Sequence, residues 1–140
     1  MNSEELRMTN RKGKSVIVEK SFSFSIKIVR FYRDFKERGG ETLILGRQLL
    51  RSATSIGANV HEAQAAQSKA DFIAKISISH KEAWETLYWL KLILESELST
   101  PLKLQGLILD CNELLKILSS ILLTSKNGKT THSSLITVHS

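Results

Sequence analysis

Apart from three short breaks, apolar residues recur at helical spacing from Ser15 to Ser125. The breaks are Arg38-Gly39-Gly40-Glu41, Ser68-Lys69-Ala70-Asp71 and Ser99-Thr100-Pro101. Each is a start or stop signal with a physical cause. Paired glycines end a helix because they accept positive φ, and Ser-x-x-Asp caps a helix start. Proline suits the first helical position, where its missing N–H is not needed. Amphipathic helices joined by turns this short lie antiparallel with their apolar stripes turned inward. The expected architecture is all-α, an up-and-down four-helix bundle.

Projected at about 100° per residue, the first helix (15–38) turns Val18, Phe22, Phe24, Ile28, Val29, Phe31, Tyr32 and Phe35 to one side. Lys20, Lys27, Arg30, Asp34 and Arg38 fall on the other. The second (42–66) buries Leu45, Leu49, Leu50, Ala53, Ile56, Gly57, Val60 and Ala63. Its small positions, Gly46, Ala53 and Gly57, let a neighbouring backbone approach, at about 1 kcal/mol of helix propensity per glycine. No strand precedes them and Gly57 sits mid-pattern, so close packing explains them better than a phosphate loop. The third helix (69–97) has an inner stripe of Phe72, Ile73, Ile76, His80, Ala83, Trp84, Leu87, Leu90 and Leu94. A second stripe of Ile78, Tyr88, Trp89, Leu92 and Ile93 lies roughly opposite, which predicts self-association. The fourth helix starts at Pro101 behind the cap Thr100 and buries Leu104, Leu107, Ile108, Cys111, Leu114, Leu115, Leu118 and Leu122. The reading is one bundle domain (15–125) between a flexible basic arm (1–14) and a disordered Ser/Thr-rich tail (126–140).

The net charge of +6 is uneven: residues 1–51 hold 12 Lys/Arg against 6 Asp/Glu, and the remainder holds 8 of each. A localised basic excess draws phosphate backbones with salt-dependent strength, and the plain alternative is a solvated helix face. Lys20, Lys27, Arg30, Arg38 and Arg47 are the candidate nucleic-acid contacts, RNA or DNA. One cysteine, Cys111, excludes an internal disulfide and fits a reducing compartment. With no signal peptide and no long uncharged apolar run, the expected location is the cytoplasm.

Little here asks for catalysis. His61-Glu62 lacks a second ligand, since position 65 is alanine, and His80 reads as a packed, hydrogen-bonded core histidine. No metal or cofactor is expected. Glu82 and Glu85 share a face, best explained by pairing with Lys75, Lys81 or the arginines of the second helix. Arg47 and Arg51, one turn apart, suit a phosphate or carboxylate. For Arg51 the reading favours an ion pair with Glu62, Glu82 or Glu85.

Arg47, Arg51, Ser55-Ile56, Ala58-Asn59, Glu62, Ser68, Asp71-Phe72, Glu82, Glu85 and Trp89-Leu90 form a pattern across residues 47–93. It resembles the four-helix proteins encoded by intervening sequences of bacterial 23S rRNA genes, a family labelled S23 ribosomal protein. The resemblance implies a homopentameric barrel and a relationship to the accessory protein of diversity-generating retroelements, a basic pentamer that binds reverse transcriptase and nucleic acid. Arg51, Ser55, Gly57, Asn59, Glu62, Asp71, Phe72, Glu82, Glu85 and Trp89 are signature positions in this comparison, not active-site residues. Packing accounts for Gly57, and polar bonding between helices is expected of Ser55, Asn59 and Glu62. Two functions remain in view: a non-enzymatic oligomer that binds nucleic-acid backbone, or a scaffold that docks a partner enzyme such as a reverse transcriptase.

Overall fold

The computed structural model describes the backbone of residues 3–132 and the side chains of residues 16–127. Four helices follow one another: α1 (Ser3–Phe35), α2 (Glu41–Ala63), α3 (Lys69–Glu95) and α4 (Pro101–His132). A 3-10 turn, Lys36–Arg38, follows α1. Gly39 and Gly40 then adopt φ of +69° and +57°, the left-handed region open to glycine. The start of α3 is capped as its sequence predicts. The Ser68 hydroxyl accepts from the Asp71 amide at 3.0 Å, and the Asp71 carboxylate accepts in return from the Gln67 amide at 3.1 Å. The turn into α4 includes Glu97 at φ +57°, so α3 stops two residues before the predicted end.

The helices run longer at the outer ends than expected. The backbone of α1 begins at Ser3 rather than Ser15, and α4 passes Ser125 to reach His132. Neither stretch contains proline, and single glycines within a helix cost only about 1 kcal/mol each. The remainder of the predicted tail, 133–140, lies outside the described residues.

Among the described residues α1 packs on α2 and α4, α2 on α3, and α3 on α4, with no close backbone approach across either diagonal. Phe24, Ile28, Leu49, Ile56, Ile76, Leu90, Ile93, Leu104, Leu114 and Leu118 fill the centre. Cys111 is also fully buried, and burial pushes its thiol pKa up to about 12. The sequence reading misplaces several large residues. Phe22 is 67% exposed, Val29 40% and Trp84 57%, whereas Ile93, assigned to the second stripe of α3, is fully buried. The reason for α1 is its closeness to α2. A Cβ on Gly57 would lie 3.2 Å from Ser25 Oγ and 3.3 Å from the Ser21 carbonyl oxygen. The small residue Ser21 therefore takes an inward position, and Phe22 is rotated out.

Hydroxyls inside the bundle all have partners. Ser52 and Thr86 bond across the α2–α3 seam at 2.8 Å, and Ser79 Oγ donates to the Ile56 carbonyl at 2.9 Å. The described residues contain no buried side-chain nitrogen or oxygen without a partner. On the α3–α4 seam, His80 Nε2 meets Ser119 Oγ at 2.9 Å. His80 is half-buried, short of the core position predicted for it.

Two outcomes follow for stability. Gly57→Leu should lower the unfolding free energy by about 1–3 kcal/mol through overpacking. Gly106→Ala, where an added Cβ meets nothing within 4 Å, should raise it by up to about 1 kcal/mol; urea denaturation reads both. Desolvation first, and Lys126 second, lower the pKa of His80 below its usual value of 6.5. Its contribution should then be complete above about pH 6.5 and be lost as pH falls through the depressed folded value. Urea midpoints across this range should depend less on pH in His80→Gln than in the parent.

Candidate nucleic-acid interface

Three surfaces collect the residues that could carry function: the polar α2–α3 seam, the basic side of α1, and the groove between α1 and α4. Most of the signature pattern lies on the first. Arg51 pairs with Glu82 at 3.4 Å and with Glu85, which also accepts from Trp89 Nε1 at 3.0 Å. The Trp89 hydrogen bond leads in holding the Glu85 pKa below its usual value, with Arg51 adding to the effect. The same Glu85 bond raises the pKa of Arg51. Arg51 is thus an ion-pair partner, as its spacing suggests, and its charge is committed.

Glu62 reaches across to Lys75 at 3.2 Å. Ser55 and Asn59 do not bridge helices as expected. Asn59 Nδ2 donates to the Ser55 carbonyl at 2.9 Å and to its hydroxyl at 3.1 Å, both within α2. Sitting one turn apart on the outer edge of α2, they satisfy each other. Asp71 caps α3, Phe72 packs against the core, and Gly57 takes the close approach of α1. The bridging hydroxyls Ser52, Ser79 and Thr86 went unnoticed in the sequence because an isolated Ser or Thr resembles a surface residue. Their only advance signal was a position on the inward arc.

The five basic candidates divide into two kinds. Lys20 pairs with Glu113, a hydrogen bond that raises its pKa, and Lys27 pairs with Asp110 at 2.8 Å. Both ties stitch α1 to α4. Arg38 donates to the Leu98 carbonyl in the turn between α3 and α4. Arg30 and Arg47 are exposed and, among the described residues, have no ion pair or hydrogen bond. Exposed Arg33 shares that condition and was not singled out from the sequence. Register brings Arg33 and Arg47 level: a Cβ on Gly46 would touch the Tyr32 ring at 3.0 Å, and the two arginines follow Tyr32 and Gly46 directly.

Beside Arg30, between α1 and α4, runs an open groove of about 390 Å³ with Phe31 and Leu107 among its lining residues. The bundle also presents apolar side chains to solvent: Phe22, Ile26 and Val29 on α1, Ile44 on α2, Ile78, Trp84 and Tyr88 on α3, and Leu102, Leu109 and Leu123 on α4. Among the described residues no group of His, Cys, Asp and Glu is placed to hold a metal ion, and no helix is long and apolar enough to cross a membrane.

No curated protein matches the chain. A crystal structure of a protein of unknown function from the S23 ribosomal protein family of Bacteroides thetaiotaomicron is similar, with a TM-score of 0.75 and 41% sequence identity. The similarity covers 79% of this chain and 97% of that one. Residues 13–120 match the family of 23S rRNA-intervening sequence proteins, which takes in the whole α2–α3 seam and its Arg51–Glu85–Trp89 cluster. On the strength of that match and of the four-helix fold it accompanies, the chain belongs to the 23S rRNA-intervening sequence protein family.

Proposed function

We propose that this chain is a non-enzymatic, self-associating cytoplasmic protein that binds the phosphate backbone of nucleic acid. The observation that carries the reading is the pair of exposed arginines, Arg30 and Arg47, which have no ion pair among the described residues. Lys20, Lys27 and Arg38 contribute less, because each already has a partner. An uncommitted guanidinium offers five donors to phosphate oxygens and need not break an existing bond to do so.

Self-association is supported by exposed apolar residues on every helix, the aromatic ones among them, Phe22, Trp84 and Tyr88, lying on α1 and α3, two helices on a diagonal of the bundle. Patches that face away from each other favour head-to-tail contact, which closes into a ring when the rotation between copies allows it. A ring repeats Arg30 and Arg47 once per subunit, so weak single contacts add by avidity. A pentamer is the stoichiometry the family resemblance implies. The second reading, a scaffold for a partner enzyme, draws on the same exposed aromatic pair, Trp84 and Tyr88. Binding through those rings would persist at high salt, unlike binding through arginines.

Light scattering with and without a structured RNA tests the proposal. The protein should run as an oligomer, gain mass with RNA at low salt and release it as salt rises. Arg30→Glu combined with Arg47→Glu should weaken RNA binding and flatten the salt slope by about 2, close to one for each phosphate no longer neutralised. Unchanged affinity in that variant would remove the site assignment. Trp84→Lys with Tyr88→Lys should yield monomers, and an intact oligomer would show that α3 does not form the subunit interface.

A further inference from the structure

We propose that the groove between α1 and α4 receives an unpaired base, so that the nucleic acid bound here is single-stranded. The inference rests on the backbone-binding reading above and adds the class of strand. Its starting point is the setting of Arg30. A cation on a bare helix ridge contacts phosphate and is indifferent to strandedness. Arg30 instead lines the wall of a groove of about 390 Å³, within the range of about 300–1,000 Å³ typical of small-ligand sites.

The lining has the parts a splayed base requires. Phe31 is half-buried, stacks on Phe35 at 5.0 Å between ring centres, and lines the groove together with Leu107. An aromatic ring beside cations is how sequence-tolerant single-strand sites hold a base and its flanking phosphates. Arg30 comes from α1 and Lys103 from α4, so the uncommitted cations stand on opposite walls. Lys27 and Asp110 neutralise each other at 2.8 Å, which leaves Asp34 as the acidic group open to a base amino group. Gly106 keeps the α4 wall open, since an added Cβ there meets no atom within 4 Å. A duplex, with its bases stacked inside, has nothing to place in the groove.

The experiment is fluorescence anisotropy with a labelled RNA of about 12 nucleotides, free and annealed to its complement, at low salt. The single strand should bind the full-length protein at least about fivefold more tightly than the duplex, the lower end of what one base stacked on an aromatic ring contributes. Gly106→Leu fills the groove without touching a charge. It should reduce single-strand affinity to the duplex level while duplex affinity holds and the melting temperature does not fall. Arg30→Glu should weaken both forms. Equal affinity for the two forms, or full single-strand affinity in Gly106→Leu, overturns the groove proposal and leaves backbone binding standing. Absence of binding to either form overturns both. If Gly106→Leu instead dissociates the oligomer with no change in RNA binding, the groove belongs to a second copy of this chain and the proposal is wrong.

Discussion

The approach of α1 to α2 at Gly57, where a methyl group would press on the Ser21 carbonyl, governs much of what surrounds it. It selects a serine for an inward position of α1 and turns Phe22 outward. It also sets the register that places Arg33 level with Arg47. On its other side α2 is joined to α3 by different means, the Ser52–Thr86 bond and the Ser79 bond to the Ile56 carbonyl. Directional bonds of this kind contribute about 1 kcal/mol each and fix rotation as well as distance. The second helix is thus clamped by sterics on one flank and by hydrogen bonds on the other, while α1 and α4 meet along a seam stitched by exposed ion pairs. Exposed pairs contribute little, about 0–1 kcal/mol, so this seam is where a groove can persist.

Local signals were the readable part of the sequence. The glycine pair, the Ser68–Asp71 cap and Pro101 act within a few residues, and each lies at an observed helix boundary. Face assignment was less secure where apolar residues crowd a helix. With Phe22, Phe24, Ile26, Ile28, Val29 and Phe31 in one short run, several rotations bury similar area, and the choice passes to the neighbouring helix. The same limit applied to charge. That Arg51 would pair with a carboxylate, Glu62, Glu82 or Glu85, was visible from the sequence, and the fold selects the latter two. The neutralisation of Lys20 and Lys27 by the last helix was not visible, since nothing in the sequence sets the register of α1 against α4.

Counting charges on α1 therefore overstates its attraction for anions. Lys20 and Lys27 each meet a carboxylate of α4, and a phosphate approaching them must compete with that partner. Among the described residues, the arginines that remain uncommitted lie toward the C-terminal half of α1 and the facing part of α2. Over the described side chains, a basic stripe along the helix becomes, in the folded molecule, a basic end. The polar signature cluster around Arg51 does not add to it, being occupied with holding α2 to α3.

The buried thiol of Cys111 carries a different implication. With its Sγ 3.3 Å from the Ala83 carbonyl and its pKa near 12, almost none of it is thiolate at neutral pH. Peroxides and alkylating agents act on thiolates they can reach, so the folded protein is shielded from both. A chain still emerging from synthesis, before α3 and α4 have closed, has no such shield. The rate at which Cys111 is labelled thus reports how often these two helices part, and oxidative damage at this position marks molecules that failed to assemble their core.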